Sequence, residues 1–173
     1  MWYSPAMPQS YTLNEKINAS PRDVHEWLRD WDHVRAWMGP SLISIEMLSD
    51  HAPDEPMCAG MRFRETRKMG KMNAKATVEI LRHEIDDQGV FRHDAVFDDG
   101  CNRMMCEYVY KPSGTGTDAS FVIYNAPNKW WTRMLAGAFG SMMIKMCAKH
   151  MSEHLSDLKV LIENPESKPT PDA

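Results

Sequence analysis

The chain has 173 residues, a length that suits one domain whose core is large enough to enclose a cavity. Its 20 basic and 24 acidic residues give a formal charge of −4, which argues against nucleic acid as a partner. Four cysteines occur without a CxxC pair or a secretory leader, a pattern that predicts reduced thiols and a cytoplasmic protein.

The two ends of the chain differ in composition from the stretch between them. Residues 1–10 and 164–173 are rich in proline and lack hydrophobic periodicity, so we predict flexible tails around a single domain of residues 11–163. Arg133 and Lys145 interrupt the apolar stretch that comes nearest to a membrane-spanning helix, so we predict no transmembrane segment. Contact with a membrane would then be peripheral. A phosphate-binding loop, a nucleophile elbow and a paired metal motif are missing from the sequence, so we expect no cofactor and no metal.

The first part of the domain predicts a strand followed by two short helices. From Tyr11 to Ile17, apolar and polar residues alternate, which is the period of a strand with one buried face. Ser20 and Pro21 then supply the cap and the first-turn proline of a helix start. A second short helix is expected to end at Gly39.

The middle of the chain predicts six further strands, most of them joined by tight turns. Residues 42–48 have a strand pattern, and a polar loop of residues 49–60 follows. Five more strands are expected over residues 61–69, 72–82, 90–97, 103–111 and 117–124, separated by turns rich in Gly and Asp. Strands joined by hairpin turns form an antiparallel sheet.

The last apolar stretch, from Trp130 to Ile162, predicts one helix that is about 50 Å long at about 1.5 Å per residue. One apolar stripe on it consists of Met143, Cys147, Met151, Leu155, Leu158 and Ile162, and a second, roughly opposite, of Trp131, Leu135, Phe139, Met142 and Met146. Either the helix bends near Gly137 and Gly140 so that both stripes face inward, or small residues there face the interior and leave room. In the second case a protein partner, a second copy, a membrane or the chain's own ends must cover the second stripe.

Six short stretches of the sequence are similar to motifs of a known protein superfamily, among them INASPRDV at residues 17–24 and GMRF at residues 60–63. The others lie at residues 27–30, 37–40, 76–80 and 114–117. With the order of elements, they resemble the SRPBCC superfamily of helix-grip proteins, which includes START-like lipid binders and polyketide cyclase-like proteins. The resemblance covers residues 11–163. It implies an α+β helix-grip fold, in which a curved antiparallel sheet of about seven strands wraps around a long C-terminal helix, with a hydrophobic cavity between them.

Inward-facing polar residues on the predicted sheet are the candidates for ligand contact. Glu65 and Arg67 share an apolar strand face with Met61 and Phe63, and a buried carboxylate and guanidinium need each other or a polar ligand group. The whole candidate set is Glu15, Phe63, Glu65, Arg67, His93, Tyr108, Tyr110 and Met143. The simpler interpretation of these residues is an internal ion pair, a core histidine and packed tyrosine rings.

Two other clusters also have a simple alternative interpretation. Cys147, His150 and His154 lie near one side of the last helix and form a conceivable metal site, but the two histidines fall on its polar flank and are expected to be exposed. Basic residues with little acidic compensation crowd one hairpin and either contact phosphate headgroups or form a solvated face. They are Arg62, Arg64, Lys68, Lys71 and Lys75.

Three functions remain open from the sequence. The first is binding or transport of a small hydrophobic or amphipathic ligand, such as a lipid or polyketide-like molecule, in the cavity. The second is a polyketide cyclase/dehydrase-like enzyme in which His93 or Glu65 moves protons while Arg67 or a tyrosine stabilises an oxyanion. The third is a protein-interaction module, resembling chaperone-ATPase activators, that uses the second stripe of the last helix.

Overall fold

A computed structural model describes residues 9–69, 71–127 and 151–164. The described chain forms the strand β1 (Gln9–Ile17), the helices α1 (Pro21–Arg29) and α2 (Trp31–Met38), and the strands β2 (Leu42–Met47), β3 (Arg62–Met69), β4 (Met72–Ile85), β5 (Phe91–Asp98), β6 (Asn102–Ser113) and β7 (Gly116–Pro127). Residues 151–163 are helical and are called α3 here.

The seven strands form one antiparallel sheet in the order β1-β7-β6-β5-β4-β3-β2. Strands that follow each other from β2 to β7 are neighbours in space, because tight turns join most of them. The first strand pairs instead with the last, so β1 and β2 lie at opposite edges of the sheet. The α1–α2 segment therefore connects the two edges.

Local capping fixes the two short helices. The Ser20 hydroxyl accepts a hydrogen bond from the Asp23 amide, and the Asp23 carboxylate accepts one from the Ser20 amide, so the first turn of α1 is capped in both directions. Asp30 ends α1 and also begins α2, since its side chain accepts a hydrogen bond from the Asp32 amide at 2.8 Å. Gly39, with a φ of 72°, ends α2.

One face of the sheet, called the inner face, carries the core. On β3, β5 and β7 this face presents Phe63, Phe91 and Phe121, all almost fully buried. On β4 the strict alternation is broken by an irregularity between Ile80 and Arg82, after which the inward positions continue. Both short helices also contribute buried side chains to this core.

The described part of the last helix packs on the same core. Leu155 and Leu158 are buried there, and Met151 and Ile162 pack against the cluster from partly buried positions. These four residues belong to the first predicted stripe, and that stripe is confirmed where the structure describes it. An apolar stripe of this kind is what holds a helix on a sheet.

Three polar contacts fix the position of α3 relative to the rest of the chain. The indole N–H of Trp37 donates to the carbonyl of His154 at 2.8 Å, which ties α2 to α3. Lys159 donates to Glu15 at 3.0 Å on β1. The amide of Asn18 donates to the Glu163 carboxylate at 2.7 Å. The C-terminal helix is thus held at both β1 and α2.

The predicted α+β helix-grip fold with about seven strands is confirmed. Boundaries differ by a few residues: β1 begins at Gln9 rather than Tyr11, and β4 continues to Ile85 rather than ending at residue 82. The N-terminal part of the predicted last helix, with its second stripe and the bend at Gly137 and Gly140, lies outside the described residues. The division into one domain with two tails stays a prediction.

Candidate functional site

Glu65 and Arg67 form a buried ion pair on the inner face of β3. Nε of Arg67 donates to Oε1 of Glu65 at 3.1 Å, and Nη2 donates to Oε2 at 3.3 Å. The Glu65 side chain is only 7% exposed and that of Arg67 is 21% exposed. Because the guanidinium bonds to both carboxylate oxygens, the pair has one preferred geometry. It is a fixed polar position on an apolar face.

The neighbours of this pair explain how β3 accommodates two long polar side chains. In the strand register, Glu65 lies opposite Ala76 and Arg67 lies opposite Ala74, so β4 contributes only a methyl group at each position. Nη1 of Arg67 also donates to the carbonyl of Met38 at 3.4 Å. Met38 is the last residue of α2, where carbonyls lack a helical partner and attract a positive charge.

Tyr108 lies close enough to the ion pair to interact with it electrostatically. Its ring packs edge-on against Trp37, with ring centroids 6.3 Å apart. Burial raises the pKa of the Tyr108 hydroxyl well above its usual value, while Arg67 lowers this pKa and Glu65 raises it by smaller amounts. The hydroxyl therefore keeps its proton near neutral pH and can donate a hydrogen bond.

A pair of buried histidines lies on the inner face at β4 and β5. Nδ1 of His83 is 3.0 Å from Nδ1 of His93, so one ring donates and the other accepts. Burial lowers the pKa of His93 to about 4. Burial, followed by the charges of His93 and His25, lowers the pKa of His83 to about 3. Both rings are consequently neutral at physiological pH.

Helix α1 covers this histidine pair. The ring of His25 lies 5.0 Å from that of His83 and 5.0 Å from that of Phe91. Burial lowers the pKa of His25, and nearby Glu26 opposes this shift. On the other side, the ring of His93 is 5.4 Å from that of Tyr108. Tyr108 therefore contacts the histidine pair through His93, and the charges of Arg67 and Glu65 also act on its hydroxyl.

Tyr110 is part of the core beside this cluster. Its ring stacks on Phe91 with centroids 5.1 Å apart. Burial raises the pKa of its hydroxyl. Among the described residues, Oη of Tyr110 and Nε2 of His83 have no hydrogen-bond partner.

Two of the remaining predicted site residues, Glu15 and Phe63, are described and have partners of their own. Glu15 bonds to Lys159 at 3.0 Å and joins β1 to α3, so its carboxylate already has a partner. Phe63 is fully buried and packs edge-on against Trp31 with centroids 5.2 Å apart. Met143 lies outside the described residues. Among the predicted site residues, the structure therefore joins Glu65 to Arg67 and His93 to Tyr108, and the charges of the ion pair act on the Tyr108 hydroxyl.

Two contributors to this region were not among the predicted site residues. His83 follows Ile80 by three positions, so strict alternation would place it on the outer face; the irregularity before Arg82 returns it to the inner face. The sequence around this point carries no signal of that shift. Trp37 was assigned only to the second short helix, and its contact with Tyr108 depends on how α2 packs over the sheet.

A groove of about 390 Å³ lies on the outer face at the basic hairpin. It is lined by Arg62, Arg64, Lys75, Ala76, Thr77, Glu79, Val96, Asp98, Asp99, Gly100 and Arg103. Arg64, one of the five basic residues of this hairpin, bonds to Glu46 of β2 at 2.9 Å, so part of the positive charge is compensated. The mixed charge of the lining weakens the case for phosphate headgroups, and that contact stays a prediction.

The two predictions for the last helix concern residues that the structure describes only in part. Cys147 and His150 lie outside the described residues, as does the whole second stripe. His154 was expected to be exposed, but it is half-buried, with its ring 5.9 Å from that of Trp37. The metal site on this helix and the protein or dimer contact through the second stripe stay predictions.

The seven-stranded sheet, the two short helices and the C-terminal helix define a helix-grip fold, which is a ligand-binding fold. The chain belongs to the polyketide cyclase/dehydrase and lipid transport family, whose profile matches residues 8–163. This confirms the resemblance to the SRPBCC superfamily. A comparison with curated proteins finds no significant match.

Several solved structures share this fold at low sequence identity. TTHA0849 from Thermus thermophilus is 16% identical, with 92% of this chain and 100% of that chain covered and a TM-score of 0.67. Ara h 8.0201 is 9% identical, with coverages of 89% and 97% and a TM-score of 0.65. Norcoclaurine synthase from Thalictrum flavum, in complex with dopamine and hydroxybenzaldehyde, is 11% identical, with coverages of 95% and 90% and a TM-score of 0.58.

The helices that the structure describes include none with the length and hydropathy needed to span a membrane. The described cysteines, Cys58, Cys101 and Cys106, are not joined by disulfide bonds. The cytoplasmic location stays a prediction from the pattern of cysteines.

Proposed function

We propose that the protein binds a small amphipathic molecule, such as a lipid or polyketide-like compound, between the inner face of the sheet and the C-terminal helix. Glu65, Arg67 and Tyr108 contact its polar group. The apolar part of the molecule lies against the inner face, where binding sites of this kind are mostly apolar with a few fixed polar groups. The remaining contacts are Glu15, Phe63, His93, Tyr110 and Met143.

The Glu65–Arg67 pair is the observation that carries this proposal. A buried ion pair adds little stability compared with apolar residues of similar size, so its presence on an apolar face calls for another role. Within the described part of the chain, Arg67 uses three of its five N–H groups in the contacts with Glu65 and Met38, so two further N–H groups can donate to a ligand. Each Glu65 oxygen also keeps accepting capacity. The pair can therefore bond to a third polar group without breaking.

The charge of this pair indicates what the ligand's polar group is. Glu65 neutralises Arg67 within a buried setting, so a carboxylate entering the site would leave a net negative charge out of water. A hydroxyl or carbonyl group brings no such charge. Tyr108, which keeps its proton, supplies a further donor near the pair. We infer that the ligand contacts this cluster through an uncharged oxygen.

The first test is mass spectrometry of the purified protein, under native and then denaturing conditions. We expect a small molecule with an apolar body and an uncharged oxygen to be released on denaturation. Release of a strongly ionic molecule would contradict the inferred polar group.

The second test compares two arginines on the same strand. Decanol and decanoate are titrated into the protein and into the variants Arg67→Lys and Arg64→Lys. Lysine keeps the charge but loses the two-point geometry, so Arg67→Lys should weaken decanol binding while Arg64→Lys, on the outer face, leaves it unchanged. Decanol should bind better than decanoate. Equal effects of the two variants would contradict the proposed site.

A polyketide cyclase-like enzyme is the second candidate, and the position of Tyr108 favours it. A protonated tyrosine that contacts His93, and on whose hydroxyl the charges of Arg67 and Glu65 act, can stabilise a developing oxyanion. The synthase that was solved with two aromatic compounds shows that an enzyme can be built on this fold. Incubation of the carried molecule with fresh protein should then change its mass, and Tyr108→Phe should abolish that change. An unaltered mass in the wild type excludes turnover of that molecule.

A further inference from the structure

The loop between β2 and β3 brings three metal-binding side chains together. His51, Glu55 and Cys58 each offer one ligand atom, and these three atoms all lie within 4.8 Å of one another. His51 and Cys58 are half-buried, and Glu55 is exposed. The loop lies outside the Glu65–Arg67 cluster, so this site is independent of the proposed ligand binding.

The donor set fits a particular class of metal. An imidazole nitrogen, a carboxylate oxygen and a thiolate sulfur are the ligands that Zn²⁺ takes in proteins, at about 2.0–2.3 Å. A tetrahedral ion with these bond lengths holds its ligand atoms about 3.3–3.8 Å apart, so side-chain movements of about 1 Å would close the site. The thiolate also selects against Mg²⁺ and Ca²⁺, which prefer oxygen ligands.

The backbone of the loop is anchored to the folded core at Glu55 and at two positions that follow it. The carbonyl of Glu55 accepts a hydrogen bond from the indole N–H of Trp31 at 2.9 Å. The amide of the buried Met57 donates to the carbonyl of Arg29 at 3.0 Å, and the amide of Gly60 donates to that of Ile80 at 2.8 Å. Metal binding to such a loop orders few residues, so most of the binding energy is retained.

Polar contacts also orient two of the three ligands. Nδ1 of His51 lies 2.9 Å from the Ser49 hydroxyl, which itself accepts a hydrogen bond from the Arg62 amide at 3.1 Å. Oε2 of Glu55 accepts a hydrogen bond from the Ala52 amide at 3.3 Å. Hydrogen bonds that fix a histidine ring and a carboxylate are typical of metal sites.

We propose that His51, Glu55 and Cys58 bind a divalent transition metal of the zinc class, with the fourth coordination position open to water or another donor. Three protein ligands and one open position are the arrangement of a reactive metal ion rather than of a closed structural one. Binding displaces the proton of the Cys58 thiol.

Binding of Zn²⁺ and Co²⁺ to the full-length, metal-free chain tests this proposal. Titration calorimetry measures the affinity for Zn²⁺, and the absorption spectrum with Co²⁺ detects sulfur coordination. The wild type should bind one ion and show a thiolate-to-cobalt charge-transfer band. Cys58→Ser should abolish the band and weaken Zn²⁺ binding by about 100-fold, because even the loss of a residue that only orients a ligand costs about 10–100-fold.

Matched variants make the outcome decisive. Cys101→Ser changes another half-buried cysteine, away from the loop, and Asp54→Asn removes a charge beside Glu55, so both variants should bind Zn²⁺ like the wild type. Glu55→Gln alters an exposed side chain and should weaken binding without unfolding the chain. A charge-transfer band that survives in Cys58→Ser but disappears in Cys147→Ser would place the metal on the last helix and overturn the proposal, as would wild-type affinity in Glu55→Gln.

Discussion

Two arginines of strand β3 form ion pairs with glutamates at similar N–O distances but in very different surroundings. Arg64 bonds to Glu46 on the outer face at 2.9 Å, and these side chains are 41% and 63% exposed. Arg67 bonds to Glu65 on the inner face at 3.1 Å, with 21% and 7% exposed. Exposed pairs contribute about 0–1 kcal/mol, whereas removal of one partner from a buried pair costs about 3–5 kcal/mol. Burial, rather than distance, decides what each pair contributes.

The comparison also separates a structural role from a functional one. The outer pair can be lost at little cost to the fold. Removal of one residue from the inner pair destabilises the fold strongly, because it leaves the other charge buried and unpaired. Replacement of both residues by apolar ones does not, because the desolvation of two buried charges cancels most of their mutual attraction. Stability alone therefore does not explain an ion pair at this position. A role in holding a polar ligand group does.

The largest effect is expected from breaking the inner pair. Arg67→Met leaves the Glu65 carboxylate buried without its partner and should lower the free energy of unfolding by about 3 kcal/mol or more. Urea denaturation followed by circular dichroism measures this loss. The double variant Glu65→Leu/Arg67→Met removes both charges and should recover most of the stability, although it should bind decanol poorly. No recovery in the double variant would contradict the burial argument.

The buried histidines differ from the inner ion pair because they are neutral, rather than paired charges, in the folded state. In the folded state their pKa values are lowered to about 3 for His83 and about 4 for His93, below the value of about 6.5 expected in the unfolded chain. Between these values the unfolded state binds protons that the folded state does not. Stability therefore falls as the pH falls from about 6.5 towards 4, by about 2 kcal/mol per histidine at pH 5.

Denaturation at several pH values measures this effect. The double variant His83→Gln/His93→Gln should lose most of the pH dependence between about pH 6.5 and pH 4, whatever its absolute stability. A wild-type slope in the double variant would show that other groups cause the pH dependence.

A smaller effect is expected at the contact between α2 and α3. Trp37→Phe keeps an aromatic ring beside Tyr108 but removes the hydrogen bond to the carbonyl of His154. The loss should be about 1 kcal/mol, which is the usual contribution of one such bond. Hydrogen exchange should become faster in α3 and stay unchanged in β5 and β6. Uniformly faster exchange would indicate a loss of global stability rather than of this contact.

The smallest effect is expected on the outer face. Arg64→Met breaks the exposed pair with Glu46 and should change the free energy of unfolding by less than about 1 kcal/mol. Urea denaturation in parallel with Arg67→Met gives the comparison directly. Losses of equal size would mean that burial does not distinguish the two pairs.

The fold was predictable because its signals are periodic and local. Alternation in β3 correctly placed Glu65 and Arg67 on the same face as Phe63, and the capping residues correctly began α1 at Pro21. The long apolar stripe that includes Leu155 and Leu158 identified the element that packs on the sheet. Each of these predictions depends on residues within one element.

The contacts between elements were not predictable from the same signals. His83 lies on the inner face only because of the irregularity in β4, which shifts the alternation of inward and outward side chains. No residue pattern in the sequence predicts this shift. The approach of His51, Glu55 and Cys58 depends on how an aperiodic loop is anchored to Trp31. Such geometry follows from tertiary packing. The periodicity of residues within one helix or strand contains no information about it.

The most direct measurement is the NMR signal of the arginine side-chain Nε–H groups during a titration with decanol. Arg67 and Arg64 lie on the same strand and differ in the face they occupy, so each serves as the reference for the other. If the inner pair holds the ligand's polar group, the Arg67 signal shifts with saturation while the Arg64 signal stays in place. Saturable binding of decanol with an unchanged Arg67 signal would contradict the account.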